Sequence, residues 1–317
     1  MSRADLKIVI IGRNGQLSWE ANRRFQGLGQ VICVGRPEFD LTDIDGMRAE
    51  LRRITPSIVV NAAAYTAVDQ AESEPEIAMK VNSEAPTAVA EEAKRLGSLF
   101  ITYSTDYVFN GKSASSYQET DATAPLNVYG RSKLSGERAV EAVGGSNLIF
   151  RTSWVYGVRG KNFLKTILKL AVERPELRIV DDQVGAPTWS RDLAEATRRI
   201  IEQLIAESSS AKFSIAEALG DRGGIYHMTA GGSVSWYGFA AAIVEEMNKH
   251  GLSKSNLAKV IPIPSNQYPT PAERPHNSRL SNHKLNSVFG VFLPPWRESL
   301  APVIKELTSE LLLPEKA

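Results

Sequence analysis

Apolar residues in the first half of the chain gather in short strand-like runs, at 7–11, 31–34, 57–61, 99–104 and 148–152, that are continuous rather than alternating. Strands of this kind belong to a parallel sheet with helices covering both faces, since neither face of such a strand meets water. The stretches between them carry helical signals. One follows Ser18 and continues to about Leu28, a second is opened by Thr42-Asp43-Ile44-Asp45 and reaches Ile54, and a long third opens on Ser73-Glu74-Pro75-Glu76 and stops near Leu96-Gly97. A fourth covers 129–143. The predicted fold is α/β, a Rossmann-type doubly wound parallel sheet with a smaller C-terminal α/β substrate lobe.

Beyond Thr152 the alternation loosens. Helices are predicted over 163–173, 193–205 and 237–249, and a short strand over 177–180. Loops rich in proline, Ile261-Pro262-Ile263-Pro264 and Tyr268-Pro269-Thr270-Pro271-Ala272-Glu273-Arg274-Pro275, suit a small lobe that closes over a ligand. The polar segment 206–223, with Ser208-Ser209-Ser210, reads as a loosely ordered insertion. The expected division is a nucleotide-binding domain of 1–153 plus parts of 180–235, and a substrate lobe drawn mainly from 154–180 and 236–317.

Composition narrows the partners. Lys and Arg total 37 against 36 Asp and Glu in 317 residues, which leaves no electrostatic footprint for nucleic acid or an anionic membrane. The single cysteine, Cys33, lies in an apolar run and is expected buried and inert. No window approaches a membrane span, and the first strand begins too early for a signal-peptide core, so a cytoplasmic protein is expected. His227, His250, His276 and His283 lack ligand spacing, so no metal site is expected from them.

Chemistry concentrates at two places. The first strand is followed by Gly12-Arg13-Asn14-Gly15-Gln16-Leu17-Ser18, a turn that lets backbone approach a pyrophosphate at a helix N-terminus, with Ser18 where a third glycine would stand. No carboxylate stands at Gly35-Arg36 after the second strand, and Arg36 there either favours a 2′-phosphate, hence NADPH over NADH, or is a solvated surface arginine. Asp40 and Leu41 could reach the adenine, and Thr42 could equally cap its helix. Asn61-Ala62-Ala63-Ala64-Tyr65 offers small side chains where a cofactor needs room. The second place is Ser104-Thr105-Asp106-Tyr107, at a strand end, with Tyr129 and Lys133 four apart on one helix face. A nearby ammonium would bring a phenol, which ordinarily titrates at about 10, closer to working pH. Tyr129 would then give a proton to a carbonyl oxygen as hydride reaches the carbon. Thr105 would orient that oxygen and Lys133 would also reach ribose hydroxyls.

These motifs resemble the extended short-chain dehydrogenase/reductases. Tyr65-Thr66-Ala67-Val68-Asp69-Gln70-Ala71-Glu72, Pro125-Leu126-Asn127-Val128-Tyr129-Gly130, Arg151-Thr152-Ser153-Trp154-Val155-Tyr156-Gly157 and Arg274-Pro275-His276-Asn277-Ser278-Arg279-Leu280 narrow the resemblance to the dTDP-4-dehydrorhamnose reductases. The resemblance implies reduction of a nucleotide sugar at C4 by NADPH, with NADH possible, in making dTDP-L-rhamnose. It makes Tyr129, Lys133 and Thr105 the catalytic set. Gly12, Asn14, Gly15, Gln16, Leu17, Arg36, Asp40, Leu41, Ala62, Ala63, Ala64 and Tyr65, with Tyr129 and Lys133, form the expected cofactor set. The expected substrate set is Thr66, Val68, Thr105, Asp106, Tyr107, Tyr129, Trp154, Arg274 and Asn277, the last two as candidates for a diphosphate or for an interdomain role. Some members of the family hold Mg²⁺ with glutamates at a dimer interface; Arg191 and Arg297 stand where two of those acids would align, and Glu20 could pair with them. A metal-independent monomer or weak homodimer is therefore expected. An epimerase or dehydratase of the same family, or a non-catalytic regulatory subunit with this fold, are the alternatives.

Overall fold

The computed structural model describes residues 6–249 and 257–312, and the part of the expected lobe that falls at 250–256 and 313–317, with His250, lies outside them. Five parallel strands form most of one sheet: β1 (Lys7–Ile11), β2 (Gln30–Val34), β3 (Ile58–Asn61), β4 (Leu99–Thr105) and β5 (Asn147–Thr152). A sixth strand, Gly224–His227, adds itself parallel to β5, so the spatial order is β2, β1, β3, β4, β5 and then 224–227. The chain steps from β1 to one side and returns to the other side for β3. The carboxyl ends of β1 and β3 therefore flank the crevice where such sheets bind ligands.

Side chains leave the sheet alternately and find helices on both faces. Ile8 and Ile10 pack with Leu17 and Ala21 of α1 (Gln16–Arg24) and with Leu193, Ile200 and Leu204 of the long helix Ser190–Ala211. Val9 and Ile11 turn the other way, onto Met47 and Leu51 of α2 (Ile44–Ile54). After two short turns, α3 (Val68–Ala71) and α4 (Pro75–Met79), the same layer receives α5 (Ala85–Leu96) and α6 (Val128–Val143). Each fully buried Ile or Leu contributes about 1.5–3 kcal/mol, so continuous apolar strands are what this two-faced burial selects.

The predicted long helix before Gly97 is present with an interruption. Between α4 and α5 lies one π-helical stretch, Lys80–Glu84, and Gly97 ends the helix in the left-handed conformation with φ +66°. The π-turn packs against α6 at Gly136, where an added Cβ would run into the carbonyl oxygen of Asn82. Backbone cannot retreat as a flexible side chain would. Gly136→Ala is therefore expected to lower stability by about 1–3 kcal/mol, read as a fall in urea midpoint at unchanged slope.

A second core, built around Tyr156, Leu164, Trp189, Phe239, Ile243 and Ile304, belongs to the C-terminal part. Three expectations are corrected by the structure. Lys259–Ile263 is a strand, not a loop, paired in parallel with Glu176–Val180; in a two-stranded sheet each strand keeps a free edge, so Pro262 forfeits no obligatory bond. The polar segment 206–223 is ordered: the long helix continues to Ala211, and Ile215–Leu219 starts from a capping box between Ser214 and Glu217. Cys33 is only partly buried, on β2 at the sheet edge, and burial still raises its thiol above the usual range.

Candidate active site

The cofactor end is built by backbone. Gly12 leaves β1 with φ +119°, and its N–H and that of Arg13 both donate to the Val34 carbonyl, at 2.8 and 3.1 Å. A Cβ on Gly12 would lie 3.2 Å from Ala63 Cβ, so the turn and the alanines beyond β3 are already in contact at minimal size. Gly15 is the N-cap of α1 and uses no side chain. Ser18, at the third small position, is fully buried and donates to the Gly12 and Gly15 carbonyls, holding the turn shut from within. A pyrophosphate fits this cradle, where N–H groups opening a helix face a space lined by small residues.

Around it the predicted cofactor residues divide. Asn14 is exposed on the turn, and Gln16 accepts a 2.9 Å hydrogen bond from Asn162. Leu17 and Leu41 bury their side chains in the two faces of the core, which leaves only their backbone to a ligand. Asp40 accepts from the Thr42 N–H and hydroxyl at 2.8 and 2.9 Å, and the Thr42 N–H first among its neighbours holds its carboxyl below the usual range. Asp43, not Thr42, caps α2. Arg36 is exposed just past β2, and the first carboxylate beyond that strand, Glu38, is paired with Arg13 at 2.9 Å.

The second half forms where β4 ends. Thr105 closes the strand and caps the 3-10 turn Asp106–Val108, accepting from the Tyr107 N–H at 3.2 Å and donating to Asp106 Oδ1 at 3.0 Å. Register pairs Thr105 with Thr152 of β5, which brings Ser153 level with Asp106, to which it donates at 3.3 Å. Burial pushes the Asp106 carboxyl up to about 6, against hydrogen bonds from Ser278, Thr105 and Ser153.

Helix α6 delivers the other partners because Asn127 caps it, accepting from the Gly130 N–H at 2.8 Å, while Glu72 accepts from the Val128 N–H at 2.7 Å. Both place acceptors at the positive end of the helix. A Cβ on Gly130 would meet the Tyr107 carbonyl, so glycine after Tyr129 lets the helix lie against the 3-10 turn. Tyr129 stands edge-on to Tyr107, with ring centroids 5.6 Å apart, and its hydroxyl hydrogen-bonds with Thr105. Lys133 is buried and donates to the Tyr103 carbonyl at 2.7 Å.

The sequence-based expectation of a phenol lowered by its lysine is reversed in this structure. Burial drives Tyr129 up to about 12, with the Thr105 hydrogen bond opposing, while Lys133 spends a proton on a backbone carbonyl. Burial also brings the Lys133 ammonium down to about 8, with Glu137 working against it.

Asn82, in the π-turn, joins the two halves and escaped the sequence reading. Its Oδ1 accepts from the Tyr65 N–H at 2.9 Å, and its Nδ2 donates to the Tyr65 carbonyl and to Ser132 Oγ, each at 3.0 Å. A polar residue one turn from Ala78 on a buried helix face was the available signal. Ser153 and Ser278 were missed as well, since a serine in a loop carries no pattern.

The predicted substrate residues scatter more. Tyr107 lies beside Tyr129, and Arg274 reaches the same corner, paired with Asp69 at 2.7 Å and hydrogen-bonded to Tyr107. Thr66 is exposed and Val68 opens α3. Trp154, at φ +47°, stacks on Trp236 with centroids 3.5 Å apart, against Gly185. Asn277 is buried and fully engaged: its Nδ2 donates to the carbonyls of Ser113 and Ser115, and its Oδ1 accepts from Arg279. Its amide fastens a loop and has no hydrogen-bonding capacity left over.

Among the described residues no three His, Cys, Asp or Glu gather as metal ligands. Arg191 pairs with Glu20 at 3.2 Å and with Glu306, whereas Arg297 pairs with Glu245, so the anticipated partnership with Glu20 forms for the first arginine and not for the second.

Comparison with known proteins matches residues 6–309 to the family model described as RmlD substrate binding domain. A curated dTDP-4-dehydrorhamnose reductase of Burkholderia thailandensis is 46% identical over 306 residues, 96% of this chain and 100% of that one. Among solved structures, a dTDP-4-dehydrorhamnose reductase from Clostridium acetobutylicum superposes with a TM-score of 0.83 at 34% identity, covering 96% of this chain and 100% of the other. One from Bacillus anthracis, in complex with NADP, gives 0.82 at 31% identity over 95% and 99%.

Proposed function

We propose, from the premise that this chain belongs to the dTDP-4-dehydrorhamnose reductase family, that it reduces dTDP-4-dehydro-L-rhamnose at C4 to dTDP-L-rhamnose. The observation that carries the reading is the meeting of Thr105, Tyr129 and Lys133 at the carboxyl end of β4, next to a glycine cradle suited to NAD(P). The nicotinamide supplies hydride when bound. The chain's own residues handle the oxygen: Thr105 and Tyr129, already hydrogen-bonded, converge where the C4 carbonyl oxygen would sit. A phenol near 12 keeps its proton at neutral pH, so it releases it only to a developing alkoxide. Lys133, one helical turn from Tyr129, is assigned to the cofactor's ribose hydroxyls and holds its ammonium against the Tyr103 carbonyl.

NADPH is the preferred cofactor in this reading. Arg36 and Arg13 flank the end of β2, and of the two carboxylates close by Glu38 is paired with Arg13 and Asp40 accepts from Thr42. Arg274, Trp154 and Tyr107 are assigned to the sugar nucleotide. Arg274 would have to share its guanidinium between Asp69 and a phosphate, while Asn277 is reassigned to loop support. With Arg191 and Arg297 in ion pairs, no metal is required. We place the reaction in the cytoplasm and the protein as a monomer or weak homodimer; among the described residues no helix is long and apolar enough to cross a membrane.

The test is the fall of nicotinamide absorbance with dTDP-4-dehydrorhamnose generated in situ, in EDTA, with NADPH and NADH compared. Net oxidation is expected, faster with NADPH. None with either cofactor would point to an enzyme that retains its cofactor or to a non-catalytic protein. The pH profile follows from Lys133: the ammonium is the acid form, present below about 8, so turnover is expected to decline as pH rises through that value.

A further inference from the structure

We propose that Glu137 and Arg151 form a positioning device for the reaction, in which the Glu137 carboxylate keeps the Lys133 ammonium charged inside the protein and Arg151 fixes that carboxylate in place. The inference rests on Lys133 being catalytic, as read above. Glu137 follows Lys133 by one helical turn on α6, so the two share a face. Arg151 grips it with two parallel bonds, Nε to Oε1 at 2.9 Å and Nη2 to Oε2 at 2.7 Å. Both side chains are 3% exposed or less, and the Phe109 ring lies under the guanidinium at 5.1 Å. Arg151 also sits in register with Ser104, one position before Thr105, so the pair is built into the strands that carry the site.

Stability alone gives little reason for such a pair, since apolar side chains of similar volume usually serve a buried position as well or better. An apolar replacement cannot supply a negative charge one turn from Lys133. That lysine is 5% exposed and donates to a neutral carbonyl, so burial acts against its charge and Glu137 opposes the loss.

The other titratable and charged groups on α6 and on the elements packed against it are these. Tyr129, Glu141 and the exposed Arg131 and Arg138 share the helix, Tyr103 comes from β4, and Asp106 and Tyr107 come from the 3-10 turn. Lys284, which bonds the Ile225 carbonyl, and His227 lie near Arg151. On the packed helices Asp69 pairs with Arg274 and Glu92 with Arg52 and Arg95, Lys94 donates to the Val143 carbonyl, Lys80 acts on Asp40, and Glu76 and Glu84 are exposed.

The experiment follows the Lys133 titration by NMR of protein labelled with ¹³C at lysine Cε, with Lys133→Met identifying the signal. It needs no turnover, so it is decided even if the assigned reaction is wrong. In Glu137→Gln the midpoint is expected to fall by about one pH unit or more, and the alkaline limb of kcat to move with it. Glu137→Asp should recover part of the shift. Glu137→Gln alone leaves a buried guanidinium unpaired; Glu137→Gln/Arg151→Met removes both charges and should keep the midpoint below that of the wild type. A wild-type midpoint in Glu137→Gln, or a fall there that the double variant abolishes, would overturn the proposal and leave the pair a purely structural one.

Discussion

Tyr129→Phe is expected to lower turnover by roughly two to four orders of magnitude, the usual contribution of a positioned general acid, and to leave cofactor binding nearly intact. The substitution removes one oxygen. The ring keeps its edge-on contact with Tyr107, and α6 keeps its Asn127 cap and the glycine that seats it on the 3-10 turn. What is lost is the donor hydrogen-bonded to Thr105. Thr105 also holds the Tyr107 N–H and Asp106, so the oxygen-binding corner persists without its proton source. Single-turnover rates with bound NADPH, together with fluorescence titration of the cofactor, separate the two effects. Unchanged turnover would remove Tyr129 from the reaction, and an equal loss of cofactor affinity would make it a binding residue.

The largest expected effect on stability comes from Arg151→Met, about 3–5 kcal/mol, because the change leaves the Glu137 carboxylate buried with no cation to answer it. Methionine fills much of the space of the arginine stem above Phe109, so the loss measures charge and not a cavity. Urea midpoints give the number, and the same substitution combined with Glu137→Gln should recover most of it, since neither partner is then left alone. If the double variant is as unstable as the single one, the pair is being held for its packing.

The α/β order was readable from the sequence because a strand buried on both faces has to be apolar at consecutive positions, as β1, β3 and the first half of β4 are. The sixth strand, Gly224–His227, gave no such signal: it opens on a glycine directly after Gly223, it is four residues long, and its last residue is a histidine. Proline hid the strand Lys259–Ile263 for a similar reason, since proline argues against a strand only where both edges are bonded. At the site, spacing along one helix was enough to pair Tyr129 with Lys133. It could not show where the ammonium points, because that depends on the Tyr103 carbonyl of a strand far off in sequence. Asn82 and Arg151 were invisible on the same ground. A buried polar side chain shows its purpose only through its partner, and the partners, Tyr65 and Glu137, are set by tertiary packing.

The ties that close the cofactor turn and the substrate corner span almost the whole chain. Arg274 meets Asp69 across 205 residues, Asn127 reaches the Glu273 carbonyl across 146, and Gln16 meets Asn162 across another 146. Contacts that distant have to overcome loop-closure entropy before they stabilise anything, so they form late. The corner cannot close before the segment around 274 has been made, and the core under the sheet also takes Leu285, Phe289, Val291 and Leu293 from beyond it. Recovery of activity after dilution from denaturant is thus expected to be a stricter index of complete folding than recovery of helical signal, because only the first requires the contacts made by the last part of the chain.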